Sequence, residues 1–562
     1  MFARKLSGAL CAASGLALHP WIDFPASCYD ADAQHPPRAD CAAAAASQTT
    51  AEQLTAMAAW LQQQGADIAA IDFKQSDTDA GRYGAYATDA IRQRVARSFW
   101  GTVAGWAGAG RNAAVTVASF PLSSTLTAAT LARHPQQGPI LQQLLELGVA
   151  DGRDVVMLHL AVERHRLRER GPGTGGELAW LALLPTSFGT TLFFSELDMQ
   201  WLRGTTLYTA TRLRRDSLRG AWEKLEPSAR QLAQASGLQA APGLDDWLWA
   251  NSVFWSRAIA FPSPTPDGGS SVAIQEGIVP GLDFCNHAVE VALQVEDALA
   301  QHRRPRSKHA GRPQGAISLV CPRRGAPAPG AELTIDYGNK GNEELLFLYG
   351  FALPGNNESE VLTLMLPLPP AREWDEQLLA RIALLQRRGL LPQVHLPAAD
   401  LVRLSSGGGA VAAGGGGTGG GLGTGLPEGV VETLEVFLLP QQQVQQQLQV
   451  GSLASGAGGG ADVGGSATEQ ERSGLRLAVL TTLVRLLELK AAEMESPEAG
   501  TGPLEQDEQL LAAAGAALTL NQTHCLLYRI GQKRLGRAYL AHAKRLLQQE
   551  MATLQKQQRA AQ

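Results

Sequence analysis

The chain has 562 residues, 45% of them hydrophobic, and a formal net charge of −5. That length permits more than one core, and the mildly acidic balance, with a pI of about 6.2, argues against a nucleic-acid partner because it implies no broad basic surface. No stretch reaches the ~18 consecutive apolar residues that a membrane-spanning helix requires, so no membrane partner is expected.

In chain order, the first elements read as an address and a spacer. Arg4 and Lys5 precede a stretch from Leu6 to Leu18 rich in Ala, Ser, Gly and Leu, and no acidic residue occurs before Asp23. Organelle transit peptides are acid-poor and rich in small residues in this way; a secretory signal is the rival reading, because the apolar stretch has a suitable length. Residues 1–50 are therefore expected to be presequence and low-complexity spacer. Folded character begins at Leu54, Met57, Leu61 and Ile68, a spacing that predicts an amphipathic helix ending near Gly65. Short strands are predicted from there to about Ser123, the apolar run Ala113 to Phe120 being the clearest. Residues 140–255 then read as helices: Ile140, Leu141, Leu144, Leu145, Val156 and Leu160 keep helical spacing, and so do Leu213, Leu218, Trp222 and Leu225. Strand signals return at Ile278-Val279, Ile317 to Val320 and Leu333-Thr334-Ile335, with the basic run His302 to His309 between them as a solvated loop. Beyond Asn357 the chain turns helical. Two tracts interrupt it, Ser405 to Gly425 and Gly451 to Gly465, both rich in Gly, Ala and Ser and expected as flexible loops. Gln441 to Gln449 reads as a polar helical edge, while Leu477, Leu480, Val484 and Leu487, and again Leu535, Tyr539 and Leu546, make apolar stripes that predict helix–helix core.

The six cysteines (Cys11, Cys28, Cys41, Cys285, Cys321 and Cys525) are scattered. None forms a C-x-x-C pair, so neither a zinc site nor a disulfide framework is readable, and a reducing compartment is the simpler inference. The chemistry-bearing residues concentrate in two segments. The first is Val279-Pro280-Gly281-Leu282-Asp283-Phe284-Cys285-Asn286-His287. The second runs from Gly330-Ala331-Glu332-Leu333-Thr334-Ile335-Asp336-Tyr337-Gly338 to Tyr349-Gly350-Phe351 through Asn342-Glu343-Glu344-Leu345-Leu346. Taken alone, Asp283, Asn286 and His287 fit either a capped turn with a satisfied buried histidine or a functional cluster. No G-x-S-x-G elbow accompanies them, two ligand-type side chains are too few for a metal, and the glycine tracts lack the Lys-Ser/Thr ending of a phosphate loop. Tyr337 and Tyr349 alone fit ordinary half-buried aromatics.

Together the two segments resemble the C-terminal half of a SET domain, in the subfamily of the Rubisco large-subunit lysine methyltransferase. Weaker similarity extends over about residues 51 to 550: Trp60-Leu61 and Gly65-Ala66, the glycine-rich stretch Gly81 to Thr88, the strand Val117 to Pro121, Ser256-Arg257, and Tyr528 to Arg534. The resemblance implies an α+β fold. Its SET domain, with small β-sheets and a knot-like C-terminal half, would span residues 51–356 and carry a helical insertion at about 140–255. An all-α substrate-binding domain would follow at 357–562. It also implies an S-adenosyl-L-methionine-dependent protein-lysine N-methyltransferase, a monomer of the chloroplast stroma acting on a plastid protein such as Rubisco large subunit or fructose-bisphosphate aldolase. Histidine methylation, and a SET-fold binding module without turnover, are the alternatives. By the same carry-over Tyr337 is the catalytic tyrosine, and Gly84, Arg257, Asp283, Asn286, His287 and Tyr337 bind the cofactor. Arg257 and Asp283 line its polar end, Tyr349 and Phe351 wall the lysine channel, and no metal takes part. This chain departs from the subfamily at Gln93 to Arg111, where a tight connection is the rule. The segment is expected as a surface excursion whose Trp100 and Trp106 cover little of the core.

Overall fold

The computed structural model describes residues 50–561 apart from 77–81, 97–113, 172–175, 265–271, 289–292, 297–314, 323–324, 406–425, 428, 454–468 and 514–516. Helix α1 (Thr50–Gln63) forms where the sequence pattern places it: Met57 and Leu61, four residues apart and so on one face, are both fully buried. It packs on an antiparallel pair, β1 (Ile71–Gln75) and β2 (Tyr83–Ala87), in register from Ile71 opposite Ala87 to Gln75 opposite Tyr83. Strand β3 (Ala114–Pro121) is the apolar run already named.

The chain then leaves the strands for the inserted helices α2 (Gly138–Glu146), α3 (Gly152–Arg170), α4 (Gly176–Ala182), α5 (Thr206–Ala235) and α6 (Leu244–Arg257). Asp151 starts α3 as its cap, accepting from the backbone N–H groups of Arg153 and Asp154 at 2.8 Å each. The chain returns through a second antiparallel pair, β4 (Ile259–Pro264) and β5 (Val272–Gly277). Strands β6 (Gln294–Glu296) and β7 (Ala316–Pro322) follow, with β7 lying between β3 and β6 in one three-stranded antiparallel sheet. One hydrophobic core gathers buried residues from Met57 to Ile335, taking in both the strands and the inserted helices.

Three expectations need correction. Leu333-Thr334-Ile335 is not a strand of any sheet. Instead it threads between two others: Leu333 N–H donates to the Ala85 carbonyl of β2 at 2.7 Å, while Ile335 N–H donates to the Asn286 carbonyl at 3.0 Å on the other side. Changing partner within three residues satisfies the backbone without building a ladder. Next, the segment 93–111 is not an excursion from its first residue. Residues 93–96 complete a short helix, Val95 packs on the core, and Arg94 donates to the Thr116 carbonyl at 3.3 Å. The remainder, with Trp100 and Trp106, lies outside the described residues, as do the basic run 302–309, the presequence and nearly all of both glycine tracts.

The third correction concerns the C-terminal region. It is helical, with α7 (Glu376–Arg387), α8 (Val430–Leu438), α9 (Gln441–Leu453), α10 (Glu469–Glu495), α11 (Leu504–Ala513) and α12 (Leu520–Ala561). It also holds an antiparallel pair, β8 (Val361–Met365) with β9 (Gln393–Pro397). Leu362, Leu364, Val394 and Leu396 point inward at period two, the spacing of a half-buried strand, onto Leu483, Leu535 and Tyr539. A further small core joins Phe194, Met199 and Leu207 of the insertion to Leu346–Leu348 and to Cys525 and Tyr528 of α12. Among the described residues no helix is long and apolar enough to cross a membrane.

Glu360 sits at the junction before β8, almost fully buried, accepting from Asn342 N–H at 3.1 Å and from the Gln532 side chain at 3.0 Å. Burial, only partly offset by those donors, raises its pKa to about 7. A folded-state pKa above the unfolded value means stability present at low pH and lost as pH rises through about 7. Glu360→Gln, which has no proton to lose, is therefore expected to lack the loss of about 2–3 kcal/mol of stability that this carboxyl causes in the parent between about pH 4.5 and pH 8. Urea unfolding at the two pH values measures this.

Candidate functional site

The site is built on the turn that follows β5. A single 3-10 turn, Leu282–Phe284, carries Asp283 inward. With no side-chain exposure, the carboxylate accepts from Gly281 N–H at 2.9 Å, from the Trp180 indole N–H at 3.2 Å to each oxygen, and from Arg257 Nη1 at 3.1 Å. Arg257 Nη1 also donates to the Asp283 carbonyl at 2.8 Å. Burial raises the pKa of Asp283, and Arg257, Trp180 and Gly281 pull it back. Asp283 thus anchors the turn, with its carboxylate occupied by protein donors. Arg257 is different: its Nε–H is buried and without a partner among the described residues, a donor left over for an anionic group.

Asn286 projects from the same turn and donates from Nδ2 to Glu332 Oε1 at 2.6 Å. Both side chains lie against Gly84 in β2. A Cβ there would stand 2.8 Å from Glu332 Oε1, 3.0 Å from the Tyr86 ring and 3.4 Å from Asn286 Nδ2, so the approach of the threaded segment to β2 depends on a residue without a side chain. Gly84, Glu332 and Asn286 therefore form one contact, although they are spread over three elements.

His287 and Tyr337 come together where the thread ends. Tyr337 N–H donates to His287 Nδ1 at 3.3 Å, which puts the ring proton of a neutral imidazole on Nε2. Burial lowers the His287 pKa, against the upward pull of Asp336, so the ring is neutral at pH 7. The Tyr337 hydroxyl donates to the Cys285 carbonyl at 3.0 Å, and burial pushes its pKa up to about 12. This phenol is protonated at any physiological pH, which removes it as a general base.

Tyr349 and Phe351 complete a box of rings. Tyr337 stacks on Tyr349 with centroids 4.9 Å apart, His287 lies 5.2 Å from Tyr337 and 6.1 Å from Phe351, and Tyr349 meets Phe351 edge to face at 6.3 Å. Burial raises the pKa of Tyr349 far above the usual phenol range. Tyr349 ends a π-helical turn, Leu345–Tyr349, of the kind often found at functional sites, closed by Gly350 at φ 83°. A side chain on Gly350 would also meet the Gly189 backbone at 2.7 Å, so this glycine lets the wall of the box touch a loop of the insertion.

The structure thus brings together the candidate residues Gly84, Arg257, Asp283, Asn286, His287, Tyr337, Tyr349 and Phe351. Asp283, expected to line the polar end of a cofactor site, has its carboxylate turned inward onto Gly281, Trp180 and Arg257. Two partners went unassigned in the sequence. Glu332 stands inside a quoted segment, and its place beside Asn286 required the threading. Trp180 lies 103 residues before Asp283, in the stretch 140–255 read only as inserted helices, and no spacing signals that contact. Among the described residues no cluster of His, Cys, Asp and Glu side chains suits a metal ion.

No family model matches the chain. A ribosomal lysine N-methyltransferase of Schizosaccharomyces pombe, set10, is 27% identical over 195 residues, 34% of this chain and 30% of the relative. SET domain-containing protein 8 of the same yeast is 25% identical over 192 residues, 34% of this chain and 37% of the relative. The match therefore spans about a third of the length of these curated relatives. Solved structures agree over much more of the chain. The crystal structure of the SET domain of LSMT bound to lysine and AdoHcy superposes with a TM-score of 0.56 at 16% identity, covering 91% of this chain and 94% of that one. The structure of Rubisco LSMT bound to AdoMet gives a TM-score of 0.54 at 16% identity, covering 89% and 93%. The fold is that of a SET domain followed by a largely helical region.

The Gly84 contact generates a test. Gly84→Ala should push Glu332 off Asn286 and leave a half-buried amide without its acceptor. The expected loss is about 1–3 kcal/mol of unfolding free energy, read from the shift in a denaturant midpoint. A midpoint equal to the parent's would mean that Glu332 is free to move aside.

Proposed function

We propose that this protein is an S-adenosyl-L-methionine-dependent protein-lysine N-methyltransferase. The observation that carries the reading is the ring box of His287, Tyr337, Tyr349 and Phe351 closing on the Asn286 turn, within a fold shared by structures that hold lysine or AdoMet. The residues present suit such a cofactor. Arg257 offers a buried unpartnered N–H to a carboxylate, and Asn286 has an amide that both donates and accepts. Bound there, the cofactor supplies an electrophilic methyl group on a sulfonium.

The chain's own part is to position and to keep the amine neutral. Attack requires the unprotonated amine, and with a lysine pKa of about 10.4 only roughly 1 side chain in 250 is neutral at pH 8 in water. A box of neutral rings disfavours the ammonium by desolvation. A protonated Tyr337 cannot remove the proton. Its hydroxyl oxygen, held by donation to Cys285, offers lone pairs to the polarised C–H bonds of a transferring methyl.

The substrate belongs to the same proposal. The acid-poor N-terminus and the subfamily resemblance favour a plastid protein, with Rubisco large subunit and fructose-bisphosphate aldolase as the leading candidates. The yeast relative's name adds ribosomal proteins as a comparison class. Incubating each with the purified chain and labelled cofactor, followed by mass spectrometry of modified lysines, discriminates them. Label on histidine instead of lysine would replace the reaction assigned here.

Two outcomes are expected of variants. Tyr337→Phe keeps the ring stack and removes only the hydroxyl, so methyl transfer should fall by about two orders of magnitude or more while cofactor affinity stays within about twofold. Full activity in this variant would remove Tyr337 from the mechanism. Asn286→Ala should weaken cofactor binding roughly tenfold to a hundredfold, the scale of a hydrogen bond to a charged group; calorimetry with S-adenosylhomocysteine measures it.

A further inference from the structure

Trp180 is fully buried, and its indole N–H is one of two donors, with Arg257 Nη1, that the inserted helices contribute to the Asp283 carboxylate. A large buried ring is usually packing, and a phenylalanine would fill much of the same space. The difference lies in the N–H. A carboxylate with no side-chain exposure cannot replace a lost donor with bulk water, so removal leaves the charged form under-solvated.

The helix that carries Trp180 is held from outside. At seven residues α4 is too short to be stable alone. Its first residue, Gly176, abuts the Trp60 side chain of α1 so closely that a Cβ would fall 1.9 Å from Cγ. Glu177 follows, and its Oε1 meets His159 Nε2 of α3 at 2.8 Å. The other ring nitrogen of His159 is bonded to Gln137 Oε1 at 2.9 Å, and Gln137 Nε2 donates to Glu163 at 2.7 Å and to Ser236 at 3.2 Å. Glu177 and Trp180, three residues apart, are neighbours on the helix surface. One end of this short helix is thus clamped by a buried polar network and the next turn is bonded to the site.

We propose that Trp180 is a positioning residue for the cofactor turn: its N–H, on a helix braced by the His159–Glu177 contact, orients Asp283 and through it Asn286 and His287. The inference rests on the methyltransferase reading above and adds to it a route by which the inserted helices set cofactor affinity. Gly281 belongs to the turn itself and Arg257 is the last, partly exposed residue of α6, so Trp180 is the fully buried donor that ties the turn to the insertion's core.

The test is a double-mutant cycle read by calorimetry with S-adenosylhomocysteine. Trp180→Phe should raise its dissociation constant about tenfold in the parent and less than about twofold in an Asn286→Ala background, because the two act on one contact. A merely structural tryptophan would lower the melting temperature and leave affinity unchanged, or give fully additive effects; either result overturns the proposal. Should Trp180→Phe fail to fold, Glu177→Gln carries the test from the clamped first turn of α4. It is expected to raise the constant about threefold with the same non-additivity, and an unchanged constant again overturns it. Failure of the parent chain to bind the probe would instead sink the proposed function.

Discussion

A carboxylate withdrawn from water is costly unless its oxygens are met by donors, and the site hangs on how Asp283 is met. Three parts of the chain contribute: Gly281 from the turn, Arg257 from the end of α6, and Trp180 from α4. The last two come from the inserted helices. The shape of the turn therefore depends on the insertion being packed against the strands. Breaking a single arm would leave a buried charge under-solvated, so the arrangement gives the turn one geometry rather than added stability.

From that turn the remaining geometry follows by backbone bonds. The Asn286 carbonyl receives Ile335 N–H, and the Ile335 carbonyl receives Ala288 N–H, so the thread 331–335 is registered against 286–288. Two residues further on, Tyr337 has one possible place, beside His287, with its hydroxyl on the Cys285 carbonyl. The Tyr337 hydroxyl and His287 Nδ1 are thus both engaged with the protein's own backbone, and the rings around them are neutral.

Sequence reading captured much of this. Period alone located α1, β3 and the insertion, because each buries a regular face, as Met57 and Leu61 do in α1. The eight candidate residues could be named because most of them stand in motifs long enough to match a known pattern. What stayed illegible has physical causes. The pairing of Glu332 with Asn286 depends on a thread that bonds to two different partners, which leaves no periodic trace. The contact of Trp180 with Asp283 joins residues 103 apart. The pair β8–β9 was missed although Leu362 and Leu364 alternate with Val361 and Thr363, because five-residue strands embedded among helices give too short a pattern to outweigh the helical stripes around them.

The C-terminal helix belongs to the same argument. Tyr528 donates to Glu343 at 2.6 Å, and Thr206 of α5 donates to the same oxygen at 2.6 Å. Gln532 holds Glu360, which in turn receives Asn342 N–H. Arg529 and Lys533 share the fully buried Asp507, with Lys533 also bonded to the Gly502 carbonyl at 2.7 Å. Residues 342 and 343 stand at the entry to the π-helical turn that ends in Tyr349, the ring stacked on Tyr337. Each bond is buried or nearly so, and each requires α12 in one register, since a shift of one residue would turn these side chains about 100° around the helix axis. Buried pairs of this kind specify a geometry more than they stabilise it. The C-terminal region therefore helps set the far wall of the ring box, as the insertion sets the turn opposite, and the site lies where the two constraints meet.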